Sequence, residues 1–280
     1  MDIQNSGGFG FSGAHKLSTS ALRKSNTALS KILNKLATAK RINRASDDAA
    51  GLSVAEQLSS QIRGFKMASR NVSDAMSALN IADGASTEIE SMLQRQRELT
   101  IQAKNDTLTD EQRQQLDVEY QNLTQEIDRI AENTQFNTQN VSNGQGLGAG
   151  GAQIQAGPNE GDTVNLPNID MTANSLGISG TSIADSASAT NALNSIDSAL
   201  KSMGSQRSTI GATVNTFEST QNNLSVAETN TQAAESILRD QDIAKGLVEM
   251  TKNQLLQESG TKAFQRFNKI SANHIIGLLE

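Results

Sequence analysis

Leu193 to Leu238 reads LNSIDSALKSMGSQRSTIGATVNTFESTQNNLSVAETNTQAAESIL, and its apolar residues keep a seven-residue period. Ile196, Met203, Ile210, Phe217, Leu224 and Leu238 fall on one seam, broken only by Thr231. Leu193, Leu200 and Val214 lie on the neighbouring seam, which Arg207 and Gln221 interrupt. Heptads of this a/d type specify a long helix that buries a narrow stripe against other helices. If residues 193–240 are all helical, a rise of 1.5 Å per residue makes a rod about 70 Å long. A second ruler lies toward the other end: Leu58, Phe65, Val72 and Leu79, with Ala55, Ile62 and Met76 interleaved. The expected fold is mainly α, an elongated helical coiled-coil bundle built from the N- and C-terminal segments, with a small β-hairpin region in the middle.

Composition fits such a bundle better than a compact globule. Hydrophobic residues make up 36% and aromatics 3%, too little ring volume for a large round core. The two prolines, Pro158 and Pro167, both lie between the rulers and break neither. Cysteine is absent, and His15 and His274 stand alone, so thiolate or His-based metal sites and Ser-His-Asp chemistry are not expected. No cofactor is expected. No apolar run reaches the length of a membrane span, and the first residues lack the apolar core of a secretory signal. The residues by themselves therefore read as cytosolic, or as exported by a route that needs no cleavable signal.

Charge is uneven. Residues 1–45 carry eight Lys/Arg and one acidic side chain, a balance of +7, which leaves −13 on the rest. The basic residues alternate with Leu29, Ile32, Leu33 and Leu36 at helical spacing, so the segment reads as an amphipathic helix with a solvated face. Nucleic-acid binding by residues 16–44 is disfavoured because no aromatics are interleaved.

The chain organises as follows. Residues 1–13, rich in Gly and Ser, are expected to be loose. A helix is expected over 16–37, an irregular joint over 41–51, and a helix from Asp47–Asp48 to about Lys104, where acidic residues favour a helix start. A turn follows at 105–109. Thr109 and Gln112 have capping-box spacing. The next helix, about 110–132, aligns Leu116, Tyr120, Leu123, Ile127 and Ile130. Residues 141–189 hold nine Gly, both Pro and no Lys or Arg. Within them, 154–156 and 163–166 read as a β-hairpin. A last helix is expected over about 243–279. The two terminal helices have apolar stripes and no third partner in the chain. Isolated helices are marginal in water, so these segments are expected to be disordered in the monomer and to fold when subunits pack.

Three stretches carry a resemblance. They are Arg41-Ile42-Asn43-Arg44-Ala45-Ser46-Asp47-Asp48-Ala49-Ala50-Gly51-Leu52; then Leu93-Gln94-Arg95-Gln96-Arg97-Glu98-Leu99-Thr100-Ile101-Gln102-Ala103, followed by Glu126–Ile130 and Thr134–Asn137; and Met250-Thr251-Lys252-Asn253-Gln254-Leu255-Leu256-Gln257-Glu258-Ser259-Gly260-Thr261. In this order they resemble bacterial flagellin, the subunit of the flagellar filament. The match spans about 16–140 and 190–280. The middle, 49 residues long, resembles a minimal form without large inserted surface domains.

The resemblance implies an inner coiled-coil layer from 1–45 and 243–280, and a helical rod layer from 46–140 and 190–242, with 141–189 as hairpin and loop. It implies packing of terminal helices through Leu29, Ile32, Leu36, Leu247, Leu255, Leu256, Ile275 and Leu278. It implies polymerisation with other flagellin subunits and release outside the cell through the flagellar export apparatus. It also implies a chaperone for the C-terminal segment, and hook-associated junction and cap proteins as partners. In flagellins sensed by the animal Toll-like receptor for flagellin, three residues form the contact centre, and Arg95, Leu99 and Glu119 match them. Packing between neighbouring subunits is the plainer role for the same positions. Departures from the family lie at both ends: Asp2–Gly13 is Gly-rich, and Gln265-Arg266-Phe267-Asn268 replaces the usual C-terminal pattern, without its Pro.

The competing functions are a hook–filament junction protein and an enzyme. Some flagellins carry an inserted zinc protease, but no His-Glu-x-x-His occurs here. No catalytic residues are assigned.

Overall fold

The structure, a computed structural model, describes residues 7–147 and 149–276. Five helices run in chain order: α1 (Gly7–Thr38), α2 (Ala49–Ala103), α3 (Asp110–Asn133), α4 (Ser186–Arg239) and α5 (Ile243–Ile276). Between α3 and α4 lie two antiparallel pairs, β1 (Gln135–Phe136) with β2 (Gln139–Asn140), and β3 (Gln153–Gln155) with β4 (Thr163–Asn165). The backbone divides into a middle unit, Ser60–Thr231, and a terminal unit, Met1–Ser59 with Gln232–Glu280.

In the middle unit the heptads are filled as their period requires. Ile196, Met203, Ile210, Phe217 and Leu224 of α4 are buried. On α2, Ala68, Val72, Ala75, Leu79, Ala82, Ser86, Ile89 and Leu93 are buried at steps of three and four. The apolar members of both sets join one core with Tyr120, Ile127 and Ala131 of α3. The interruptions in the second seam are cross-links. Arg207 donates from Nε to Asp83 Oδ1 (3.1 Å) and from Nη1 to Glu90 Oε2 (2.7 Å), two acids seven residues apart on α2. Gln221 Nε2 donates to Ser69 Oγ at 2.7 Å. Polar pairs at seam positions fix the register of one helix against another more than they add stability.

The α2–α3 turn is held from both sides. Thr109 Oγ1 accepts from Gln112 N–H and Gln112 Oε1 accepts from Thr109 N–H, so the expected capping box is present. Arg113 reaches back with its buried guanidinium, donating from Nε to Ala103 O (2.9 Å) and from Nη2 to Asn105 O (3.2 Å). It thereby satisfies carbonyls that the end of α2 leaves without helical partners.

Residues 141–183 are folded onto the helices. Leu166, Ile169, Met171, Ala173, Leu176, Ile178 and Ile183 are buried in the same core. Two α3 carboxylates pin this stretch: Asp117 Oδ1 accepts from Ile183 N–H (2.7 Å), and Asp128 Oδ1 accepts from Ala173 N–H (2.7 Å). The β3–β4 hairpin pairs Ile154 with Val164, as its sequence indicated. Its loop lies against α2, where a Cβ on Gly64 would meet Pro158 Cβ at 2.6 Å.

In the terminal unit α1 and α5 run antiparallel. Gly246 lies against Leu36, Asn253 O accepts from Ser25 Oγ, and Gly260 lies against Leu22. The expectation of a loose segment over 1–13 is corrected for residues 7–13, which belong to α1. No proline stands there, and each glycine costs a helix only about 1 kcal/mol relative to alanine.

Candidate assembly surfaces

Ser18, Leu22, Ser25, Leu29, Ile32 and Leu36 form the less exposed stripe of α1, at alternating steps of four and three. Leu29, Ile32 and Leu36 lie on this stripe. The matching stripe of α5 is Gly246, Met250, Asn253, Gln257, Gly260 and Phe264, with the same alternation. The glycines set how close the helices come: a Cβ on Gly246 would stand 2.7 Å from Leu36 Cδ2, and one on Gly260 would stand 3.2 Å from Leu22 Cδ2.

Leu247, Leu255 and Leu256 were expected to share this packing, and within the chain they do not. They are 47%, 59% and 54% exposed. The seam of α5 runs through its two glycines, Met250, Asn253, Gln257 and Phe264, and the leucines fall on other faces of the helix. With Val248 they form an apolar strip edged by Thr251, Lys252 and Ser259. The side chain of Ile275 and the whole of Leu278 lie outside the described residues.

Arg95 of α2 and Glu119 of α3 lie side by side. Arg95 donates from both Nε (2.9 Å) and Nη2 (2.8 Å) to Glu119 Oε1, and from Nη1 to Glu98 Oε2 (3.1 Å). Hydrogen bonds donated to Glu119 and then to Glu98 hold the guanidinium pKa above its usual value. Both side chains are about half exposed, so the pair is a surface feature of small energetic weight. Leu99 corrects the expectation of a three-residue contact centre: it is 1% exposed and belongs to the core. Arg95 and Leu99 do not lie on the solvent side together, because the core claims the Leu93, Gln96, Leu99, Thr100 and Ala103 positions of α2.

The joint between α1 and α2 is the third surface. Ala39 closes α1 with a left-handed φ of 54°, and Lys40 N–H bonds back to Lys35 O. Arg41 N–H then donates to Arg239 O (2.7 Å), Gln241 N–H to Ala39 O (2.9 Å), and Arg41 Nη2 to Leu238 O (2.7 Å). The chain therefore stitches its outgoing and returning strands where α1 and α4 end. Ile42 is buried beside Gly51. Asp48 Oδ1 accepts from Gly51 N–H at 2.8 Å, starting α2 as expected. Asp47 turns the other way and accepts from Asn43 and Arg44 N–H. Its carboxyl pKa is lowered: burial pushes it up, but those two backbone bonds and the fields of Lys35 and Lys31 outweigh burial.

Sequence reasoning missed Arg113, Asp117 and Asn140, the side chains that tie turns to helix ends. Asn140 is such a clasp, donating from Nδ2 to Ala131 and Glu132 carbonyls and accepting at Oδ1 from Ser142 and Asn143 N–H. An Asn or Asp just past a helix end is the available signal. Among the described residues no group of three His, Cys, Asp or Glu side chains could hold a metal ion, and no helix is long and apolar enough to cross a membrane.

Comparison with known proteins covers most of the chain. The bacterial flagellin N-terminal helical region matches residues 14–146, and the bacterial flagellin C-terminal helical region matches 193–279. A flagellin of Halalkalibacterium halodurans is 39% identical over 241 residues, covering 85% of this chain and 88% of that protein. A flagellar filament 31.3 kDa core protein of Treponema maltophilum is 37% identical over 268 residues, covering 91% and 93%. Among solved structures, Bacillus cereus flagellin superposes with a TM-score of 0.50 at 34% identity, covering 59% of this chain and 94% of that one. A putative flagellar hook-associated protein from Vibrio parahaemolyticus shares the fold, with a TM-score of 0.57 at 14% identity, covering 69% and 99%.

Proposed function

Because the chain belongs to the bacterial flagellin family, we propose that the exposed apolar strip of α5 joins one subunit to the next. The protein is a structural subunit of the bacterial flagellar filament. The observation that carries the proposal is the exposure of Leu247, Val248, Leu255 and Leu256 along α5 while its Gly-rich stripe is covered by α1. Each such side chain gains about 1.5–3 kcal/mol on full burial, so a strip of four favours a partner surface strongly. Leu33 of α1 is exposed too, and extends the apolar surface available to neighbouring subunits.

The finer parts of the reading come with membership of the family. Before assembly the strip needs a cover, which a flagellar export chaperone for the C-terminal segment supplies. The subunit leaves the cell through the flagellar export apparatus and resides in the extracellular filament. Hook-associated junction and cap proteins meet it at the filament ends. Arg95 and Glu119 face solvent and serve packing between subunits; recognition by the animal Toll-like receptor for flagellin would act through them and not through Leu99.

Electron microscopy of purified protein, with and without short filament seeds, tests this reading. Long helical filaments with a central channel are expected. Persistent monomers or short capped stubs in the presence of seeds would instead assign the chain to a junction role.

A further inference from the structure

A cleft of about 330 Å³ opens in the terminal unit where α1 meets the joint. Lys31 and Lys35 of α1 line it with Arg44 of the joint, and Asn34, Thr38, Asn43 and Ser46 add amide and hydroxyl groups. Among the described residues none of the three cations has a carboxylate within ion-pair distance. The one acid in the cleft, Asp47, already accepts two backbone N–H groups through Oδ2. Thr38 Oγ1 donates to Asn34 O and accepts from Asn43 Nδ2. The cleft is therefore a concave, cationic surface whose free donors, among the described residues, are the two ammoniums, the Arg44 guanidinium and the Asn34 and Ser46 side chains.

We propose that this cleft seats a carboxylate side chain of a second copy of the same chain. The proposal rests on the filament reading and adds a contact to it. Its argument is charge complementarity within one sequence. Residues 1–45 carry +7 and the remainder −13, so each copy presents both the basic surface and its acidic complement. A polymer grown by repeating one heterologous contact sets different patches of neighbouring copies against each other, and opposite charges on such patches fix register and orientation. The acidic side is well supplied. Helix α3 carries seven acidic residues against two arginines, and 141–189 carries Glu160, Asp162, Asp170 and Asp185 with no basic residue. Lysine suits a contact that forms and dissolves, since its ammonium needs no bidentate geometry. Amide and hydroxyl groups around it supply neutral hydrogen bonds to the second carboxylate oxygen.

The test uses filaments grown from an equal mixture of ¹⁵N-labelled and unlabelled chain. A carbodiimide then joins amines to carboxylates in direct contact. Peptides linking Lys31 or Lys35 to an acidic residue, with mixed isotope labels, are the expected result and name the partner carboxylate. Lys31→Glu with Lys35→Glu is expected to raise the critical concentration for seeded growth about tenfold or more. Lys31→Arg with Lys35→Arg should restore growth, and helix content of each monomer should match the parent by circular dichroism. Parent filaments whose cross-links at these lysines stay within one chain would overturn the proposal. So would unaltered growth of the charge-reversed variant, or protection of the lysines by inorganic phosphate alone without any link between copies. A parent chain that forms no filament with seeds would overturn the filament reading itself, a result distinct from all of these.

Discussion

At the scale of single residues, buried polar side chains bridge helices and in places close turns. Arg113 is the clearest case. Its guanidinium is nearly buried, bonds to Ala103 and Asn105 carbonyls, and pairs with the exposed Asp110 carboxylate at 2.8 Å. Removing it strips a partner from the carbonyl of buried Ala103 at the end of α2. Arg113→Ala is expected to destabilise the middle unit by about 2–3 kcal/mol, the range for hydrogen bonds to charged groups. Urea unfolding followed by circular dichroism reads this directly, and a loss below about 0.5 kcal/mol would mean that the turn is held by its capping box alone. None of this was legible from the sequence. An arginine three residues after an aspartate on a helix reads as an ordinary i,i+3 surface pair, and only the fold reveals that α2 ends beside it.

At the scale of elements, periodicity announced what it could. The heptads of α4 and α2, the capping box of α3 and the β3–β4 hairpin were all written in spacing and turn chemistry. The β1–β2 hairpin was not, because its turn uses Asn137 and Thr138 at positive φ where glycine is the usual signal. The pairing face of α5 was not legible either. Leucine spacing pointed to Leu247, Leu255 and Leu256, whereas the helix turns its glycines inward to meet α1. Two element-level predictions follow different logics. Gly64→Val would drive a branched side chain into Pro158, a stiff ring, and overpacking of this kind costs about 1–3 kcal/mol. The expected outcome is loss of amide-exchange protection over 153–165 with α2 still helical; unchanged protection would show that the hairpin does not depend on that approach. Leu255→Ser with Leu256→Ser removes apolar surface that the isolated chain leaves in water. Monomer stability is expected to stay within about 0.5 kcal/mol. The critical concentration for seeded growth is expected to rise more than about tenfold, since tenfold needs only about 1.4 kcal/mol. A destabilised monomer would place the two leucines in the fold and not in the interface.

At the scale of the whole molecule, carboxylates with lowered pKa lie in both units. Asp47 in the joint is held below its usual pKa because backbone bonds and nearby lysines outweigh burial. Asp185, before α4, is lowered first by the Ser188 hydroxyl and then by Ser188 and Ala187 N–H. Glu126 is lowered chiefly by its hydrogen bond to Arg129. A carboxylate whose folded pKa lies below its unfolded value binds protons more weakly in the folded state. Its contribution is complete above the unfolded pKa, about 4, and vanishes as pH falls through the folded value. Helix content of the monomer should therefore hold from neutral pH down to about pH 4 and fall below it. The joint is expected to loosen with the rest, since Asp47 anchors the turn that feeds α2. Asp47→Asn replaces the ionised acceptor with a neutral one that can still receive both N–H groups. This variant should begin at lower stability near neutral pH and lose less on acidification, so the two curves converge as pH falls through the folded pKa of Asp47. Far-ultraviolet circular dichroism across a pH titration, with urea midpoints at each pH, measures both. A transition centred above pH 5, or parallel curves for parent and variant, would assign the acid response to groups other than these carboxylates.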